Sequence, residues 1–508
     1  MFDFTRFTKF SAALLIAVPV VAGAQGGAAA APAATAAPAC DIEQMMLQPQ
    51  PLALASIGRS KAVGAKTPEE GMKAVRDGLK NVFDKASSQN TLGRDYLAAQ
   101  YLMLAVEFGG EVQTRGNVNM PGDKAASLDL LVVTDSLLTI VETAKPMCKE
   151  ETGQWREYKP FAGRIGAAYK ALQDNLLDSA EKSATRAIIL SKDAPQPYDV
   201  LWRVMQAKND EDGQIKYLNI AVEKLASDTA NAKVRANLMF NLGRIHQNFA
   251  EKATEPRKAQ MYKGAADVYL RVIKEYPGAD ETPFAINGIS VAWALTKDST
   301  AALAALGECK AATAQLGDIS AAQCGVIATR MNKGADAAEL FKTASTANPY
   351  SRDYLYNYAA TLFDLKRSQE MLPVVGRLLS LDPSNPENIL LYAYAYRGLA
   401  DSTKDAAMKK AYTDSNVVYM AKSDAMLHKV SYESFERGTS STILSGRVEN
   451  RTKAAKTFTL EFEFLDKTGA VIELKSVTVG PVAPAGEGTF NVEIAKGGAA
   501  GVRYAPIP

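Results

Sequence analysis

Residues 318–351 read DISAAQCGVIATRMNKGADAAELFKTASTANPYS, and residues 352–385 read RDYLYNYAATLFDLKRSQEMLPVVGRLLSLDPSN. Laid one under the other at a shift of 34, Pro349 meets Pro383, Gly325 meets Ala359, Ala337 meets Met371, Phe341 meets Val375 and Ala344 meets Leu378. Small and large positions largely keep register, the mark of a repeat. In each copy apolar residues recur at three- and four-residue spacing with short breaks between, which predicts a pair of helices. A single hairpin cannot bury its apolar face alone, so successive copies must stack. Small residues then let paired helices approach, and large ones fill the space between hairpins.

This pattern resembles the tetratricopeptide repeat, in which a small residue in helix A is followed by Ala, a large apolar residue and Ala in helix B, then Pro. Residues 318–351 match it in full at Gly325, Ala337, Phe341, Ala344 and Pro349, whereas residues 352–385 diverge at Ala359 and Met371 but keep Pro383. Upstream, Leu242 and Gly243 fit helix A, and Ala265, Tyr269, Val272 and Pro277 fit helix B. There the spacing exceeds the pattern by ten residues, for which the polar stretch 251–260 with Pro256 accounts as an insertion between or extending the helices. Between Pro277 and Pro349 there is room for one further unit without the motif, holding Cys309. Residues 161–195 look like a degenerate hairpin carrying Tyr169 and Leu172, then Ala184 and Ile188. The resemblance thus covers residues 156–420 and implies a mainly α chain: an α-solenoid of such hairpins, whose A helices line a surface that holds a protein or peptide.

In this family the lining takes the second, fifth, ninth and twelfth positions of helix A. For residues 352–385 these are Asp353, Tyr356, Ala360 and Phe363, and for the next unit Glu387, Leu390, Tyr394 and Arg397. Tyr356, Phe363, Tyr394 and Arg397 are the candidate partner-groove residues, because aromatic and Arg side chains dominate interface energies. The alternative is that helix packing absorbs these aromatics. The basic clamp with which some family members grip a C-terminal carboxylate would need Lys, Asn and Arg here, and just Arg397 qualifies, so that ligand class is disfavoured.

Outward from the repeats, residues 66–155 are helical by pattern but carry no legible repeat, with a glycine-rich break at 109–122 that reads as a loop. After residue 430 the period changes to two, as Phe458, Leu460, Phe462 and Phe464 alternate with polar neighbours. Strands are expected at 443–449, 458–465, 471–479 and 489–494, with an earlier one near 430–435. Asp466-Lys467-Thr468-Gly469 marks a tight antiparallel turn. Strand count and length fit a small immunoglobulin-like β-sandwich. The run LSGRVENRT with DKTG and PAGEGTFNVEI resembles the FxLYD-type domains of exported bacterial proteins, which implies an adhesive or architectural role.

The first residues carry a secretory signal: Arg6 and Lys9, an apolar run at 11–21, and the small-residue site Ala22-Gly23-Ala24. That run is short for a span of about 20 residues, and no later segment offers one, so the mature chain is expected to be soluble or peripherally attached. Expected domains are a signal peptide at 1–24, an Ala/Pro-rich tether at 25–40, an N-terminal helical region at 41–155, repeats at 156–424 and the β-domain at 425–508. Cys40 could begin a lipoprotein, but Ala37-Pro38-Ala39 lacks the apolar residue expected three places before it. Cys309 and Cys324 flank the Gly317-Asp318 break, so in a hairpin they would face one another, and Cys40 with Cys148 then follows by elimination. Four buried free thiols remain the alternative.

Several function classes fall away. Lys and Arg total 58 against 56 for Asp and Glu, which gives no electrostatic reason to expect nucleic acid. The two histidines, His246 and His428, lie far apart and lack neighbours at ligand spacing, so no metal is expected. His246 reads as a packing residue of helix A and His428 as a surface linker residue. There is no phosphate-binding glycine loop and no Gly-x-Ser-x-Gly elbow, and pairs such as Glu69 and Glu70 read as solvated charges. The expectation is an exported, non-catalytic scaffold without cofactor, periplasmic or associated with the outer membrane. A structural subunit of an outer-membrane or secretion assembly is the runner-up, and an enzyme hidden in 41–155 the third reading.

Overall fold

The computed structural model describes residues 39–226 and 228–507. The signal peptide and nearly all of the tether lie outside the described residues. The chain divides into two compact units, one ending at Leu238 and one beginning at Met239, with the division inside the helix Ala232–Lys252.

The first unit is built around the helix Thr91–Gly109, in which every residue from 95 to 105 is buried. A helix buried on all sides must be surrounded, and Gln50–Val63, Pro68–Val82 and Leu130–Ala144 pack against it. The approach of Pro68–Val82 requires glycine: a Cβ on Gly78 would lie 2.1 Å from the Tyr101 ring and one on Gly71 2.4 Å from Phe108. Thr67 caps this helix by accepting from the Glu70 N–H, and Glu70 reaches back to accept from the Lys66 N–H. Glu70 is therefore part of a helix start rather than a purely solvated charge. The break at 109–122 is not a plain loop, because Val112–Thr114 and Ser127–Asp129 pair antiparallel as a short ribbon. Gly110, at φ 88°, turns the chain out of the helix before that ribbon begins. A disulfide joins Cys40 to Cys148.

Two hairpins follow in this unit, Lys159–Gln173 with Leu177–Leu190 and Gln196–Ala207 with Glu211–Lys224. Their turns share one device. Asn175 and Asn209, 34 residues apart, are left-handed, and the next N–H donates back five residues, Leu176 to Ala171 O and Asp210 to Met205 O. Such a bond closes a helix whose last carbonyls would otherwise lack partners. Asn332 and Lys366 repeat the device in the second unit, with Lys333 N–H donating to Ala328 O and Arg367 N–H to Leu362 O.

In the second unit the helices pair as Ala232–Lys252 with Arg257–Glu275, Thr282–Thr296 with Thr300–Ala311, Asp318–Arg330 with Gly334–Ala347, Arg352–Asp364 with Ser368–Leu381, and Pro386–Ser402 with Ala406–Asp424. We call the first helix of each pair A and the second B. This is a solenoid of tetratricopeptide-like hairpins, and its packing follows from the small-large code: a Cβ on Gly325 would sit 2.7 Å from Phe341, and Gly243 and Gly288 close on Tyr269 from two sides. The extra ten residues of the first pair mostly lengthen its helices, which run 21 and 19 residues. Cys309 is joined to Cys324, tying the second pair to the third.

Among the described residues the β-sandwich has six strands in two antiparallel sheets. His428–Arg437, Thr442–Asn450 and Glu487–Ile494 form one, with Thr442–Asn450 central, and Val471–Val482, Lys456–Leu465 and Gly501–Tyr504 form the other, with Lys456–Leu465 central. Phe458, Leu460, Phe462 and Phe464 point into its core. Asp466 Oδ1 accepts from the Thr468 and Ala470 N–H groups, and Gly469 adopts φ 87°, which makes the turn after that strand. The sixth strand, Gly501–Tyr504, was not among those expected. At four residues behind a glycine pair it is too short to show an alternation of its own.

Candidate functional site

The predicted groove residues come from two A helices, Arg352–Asp364 and Pro386–Ser402, and residues three or four apart on a helix share one face. The structure brings Phe363 and Tyr394 together, with ring centroids 5.2 Å apart, while Phe363 stays 45% exposed. Arg397 is exposed one turn beyond Tyr394. Tyr356 is not open in the same way, because the Arg352 guanidinium lies 5.2 Å over its ring. Asp353 pairs with that same Arg352, and Glu387 accepts from the Lys429 ammonium of the sandwich at 2.6 Å. Ala360 and Leu390 are half-buried between them.

The face is longer than the eight residues predicted. Ile319 and Val326 occupy the second and ninth positions of residues 318–351 and are exposed. Phe284 of the helix Thr282–Thr296, 60% exposed, contacts Phe240 of the preceding A helix at 5.9 Å. The signal was present in the sequence, since the same register applied one unit earlier reaches Ile319 and Val326. An exposed apolar side chain is ordinary when single. Here one recurs on A helix after A helix.

At the N-terminal ends of the last three A helices the sandwich is fastened to the repeats through equivalent positions. Asn348 and Asp382 stand 34 apart: the Asn348 Nδ2 donates to Ala500 O, and Asp382 accepts from the Tyr504 hydroxyl. Tyr350 and Ser384 are likewise equivalent. Tyr350 donates to Thr468 O, while Ser384 donates its N–H to Tyr504 and accepts from Val430 N–H and Ile507 N–H. Asp318 and Arg352 begin successive units, Asp318 pairing with Arg437 of the sandwich and Arg352 lying over the Tyr432 ring.

Charge is balanced within this joint. Burial alone would raise the Asp318 carboxyl, but the Arg437 guanidinium and the Asn348 amide hold it below its ordinary value. Burial works against the Arg352 charge, yet the Asp382 and Asp353 carboxylates keep it firmly protonated. Burial pushes the Tyr432 and Tyr504 hydroxyls far up, so both are neutral.

His246 packs its ring against Gly264, where a Cβ would come within 2.8 Å, and burial lowers its basicity. The reading of His428 as a surface linker residue is overturned: it starts the first strand of the sandwich, is 6% exposed and meets Phe458 edge-on at 6.0 Å. A strand that begins at the joint itself leaves no linker for His428 to occupy. Among the described residues, Cys40, Cys148 and Glu151 form the one grouping of three metal-type ligands, and its two sulfurs are bonded to each other. No helix among the described residues is long and apolar enough to cross a membrane.

No protein-family model matches the chain, and no curated protein matches it. Among solved structures it is similar to PilF of Pseudomonas aeruginosa, at 14% identity over 52% of this chain and 98% of that one, with a TM-score of 0.20. A tetratricopeptide repeat protein from Parabacteroides merdae is 10% identical over 53% and 93%, TM-score 0.24. The TPR2AB domain of yeast Sti1, solved as a pHSP90 complex, is 16% identical over 52% and 91%, TM-score 0.23. The tetratricopeptide-like hairpins stand on the helix pairs described above and not on these likenesses.

Proposed function

We propose that this chain is an exported, non-catalytic scaffold of the bacterial cell envelope that holds a protein or peptide segment against the A-helix face of its second unit. The observation that carries the reading is the Phe363 and Tyr394 contact, two rings that touch across neighbouring A helices while one edge stays in water. A preformed aromatic surface loses little side-chain freedom on binding, which favours it as an anchor. The groove runs from Phe284 through Val326 to Phe363, and apolar segments rather than free carboxyl termini are its expected ligands.

Export and a periplasmic site rest on the leader pattern at 1–24. The Cys40 sulfur, being bound to Cys148, argues against a lipid anchor there. The sandwich, which we assign to the FxLYD type, serves chiefly as an architectural clamp, since Ala500, Thr468, Tyr504, Val430, Ile507 and Arg437 all bond the repeat edge. The test is affinity capture from envelope extract by the wild-type chain and by Phe363→Ala with Tyr394→Ala. A defined partner retained by the first and lost by the second supports the groove. Undiminished capture by the double variant contradicts it.

A further inference from the structure

We infer that the helix Ala406–Asp424 is the seam of a homodimer in which two copies of this chain cross antiparallel at Val417. The side of this helix that faces its own hairpin is set by contacts: Asn416 donates to Ala393 O, Tyr419 stacks on Tyr396 at 5.6 Å, and Ser423 donates to Pro386 O. At about 100° per residue, Lys410, Val417 and Ala421 fall on the opposite side and Asp424 at its edge, and all four are exposed. The B helix before it, Ser368–Leu381, buries Met371, Val375 and Leu378, whereas Ala406–Asp424 buries just Ser423 and leaves Met408, Val417, Val418 and Met420 exposed. The cover that a following hairpin would supply is missing, because the chain turns into the strand His428–Arg437.

Charge decides what supplies that cover and in which direction. Lys410 and Asp424 lie seven residues to either side of Val417, which at 60% is the most exposed large apolar residue of this helix. Crossed antiparallel on Val417, two copies bring Lys410 of each against Asp424 of the other, twice by symmetry, with Asp414 opposite Met420 and Thr413 opposite Ala421. A parallel crossing would set Lys410 on Lys410 and Asp424 on Asp424. Lys410 already holds its own Asp414 at 2.7 Å and is 78% exposed, so its ammonium has donors left for a second carboxylate. The surface is self-complementary, as a twofold interface must be. The pair would carry two groove faces and bind a bivalent partner more tightly than either face alone.

The test is sedimentation of the mature, disulfide-intact chain from about 1 to about 100 μM, the range suited to a seam of one helix per copy. The expected result is a monomer–dimer equilibrium that Lys410→Glu weakens about tenfold or more and that Lys410→Glu with Asp424→Lys restores. Val417→Cys, on the twofold axis, should crosslink to itself under mild oxidation, while Lys410→Cys should not. A monomer across the whole range overturns the inference. So does a dimer indifferent to Lys410→Glu, or association that grows past two copies.

Discussion

The Tyr504 hydroxyl, near the end of the sandwich, donates a 2.5 Å hydrogen bond to Asp382, a carboxylate whose side chain is 1% exposed at the end of a B helix. A buried carboxylate is costly unless its oxygens are occupied. Asp382 meets that need with Tyr504, Arg352 and Asn388, so two domains and two helices converge on one charge.

Tyr504→Phe removes one of those donors without changing the packed volume. It is expected to destabilise the protein by about 1–3 kcal/mol, the cost of leaving a buried charged acceptor short of a partner. Urea unfolding of the two proteins measures this, and equal midpoints would show that the joint does not depend on the bond.

Two glycines separate the packing code from helix propensity. Gly325→Ala puts a Cβ 2.7 Å from Phe341 and should cost about 1–3 kcal/mol. Gly307, in the helix Thr300–Ala311, has open space about it, so Gly307→Ala should be neutral or stabilising by up to about 1 kcal/mol. Thermal melts that rank the two variants in the opposite order would contradict the repeat packing described here.

Asp318 links stability to pH. Its carboxyl sits below its ordinary value in the folded chain, so its contribution is fully present above the unfolded value of about 3.9 and is lost as pH falls through the depressed folded value. Denaturant midpoints measured downward from pH 7 should fall more gently below about pH 4 in Asp318→Asn than in the wild type. Parallel curves would mean that the Arg437 pair adds nothing at this joint.

The Cys40–Cys148 bond closes a separation of 108 residues. Replacing both cysteines with Ser is expected to cost about 2–5 kcal/mol, since long loops lose the most chain entropy when closed. Thiol counting on the denatured wild type should find four sulfurs only after reduction, and free thiols before it would contradict the pairing.

The repeats were legible because packing is written locally. Gly325, Phe341 and Pro349 recur within one hairpin, and a shift of 34 exposes them. Asn175 and Asn209 carry the same period in their left-handed turns, a sign of the hairpin Gln196–Ala207 with Glu211–Lys224 that lies in the turn residues and not in the core residues. The Phe363 and Tyr394 contact follows the repeat register, whereas Arg352 over Tyr356 does not, because Arg352 is held by the buried Asp382 and by the sandwich. The joint itself could not be read. Asp382 and Tyr504 are 122 residues apart, and no local period connects a helix end to a strand. The burial of His428 is not written locally for the same reason, since the Phe458 ring that covers it belongs to another strand.

A partner that meets the A-helix face is read most directly by site-specific photo-crosslinking in intact envelopes. A photoreactive residue at Phe284, Val326 or Phe363 should give one shared adduct, and the same residue at Lys342 or Thr346, exposed on a B helix, should give none. Adducts from the B-helix positions with none from the three A-helix positions would contradict it.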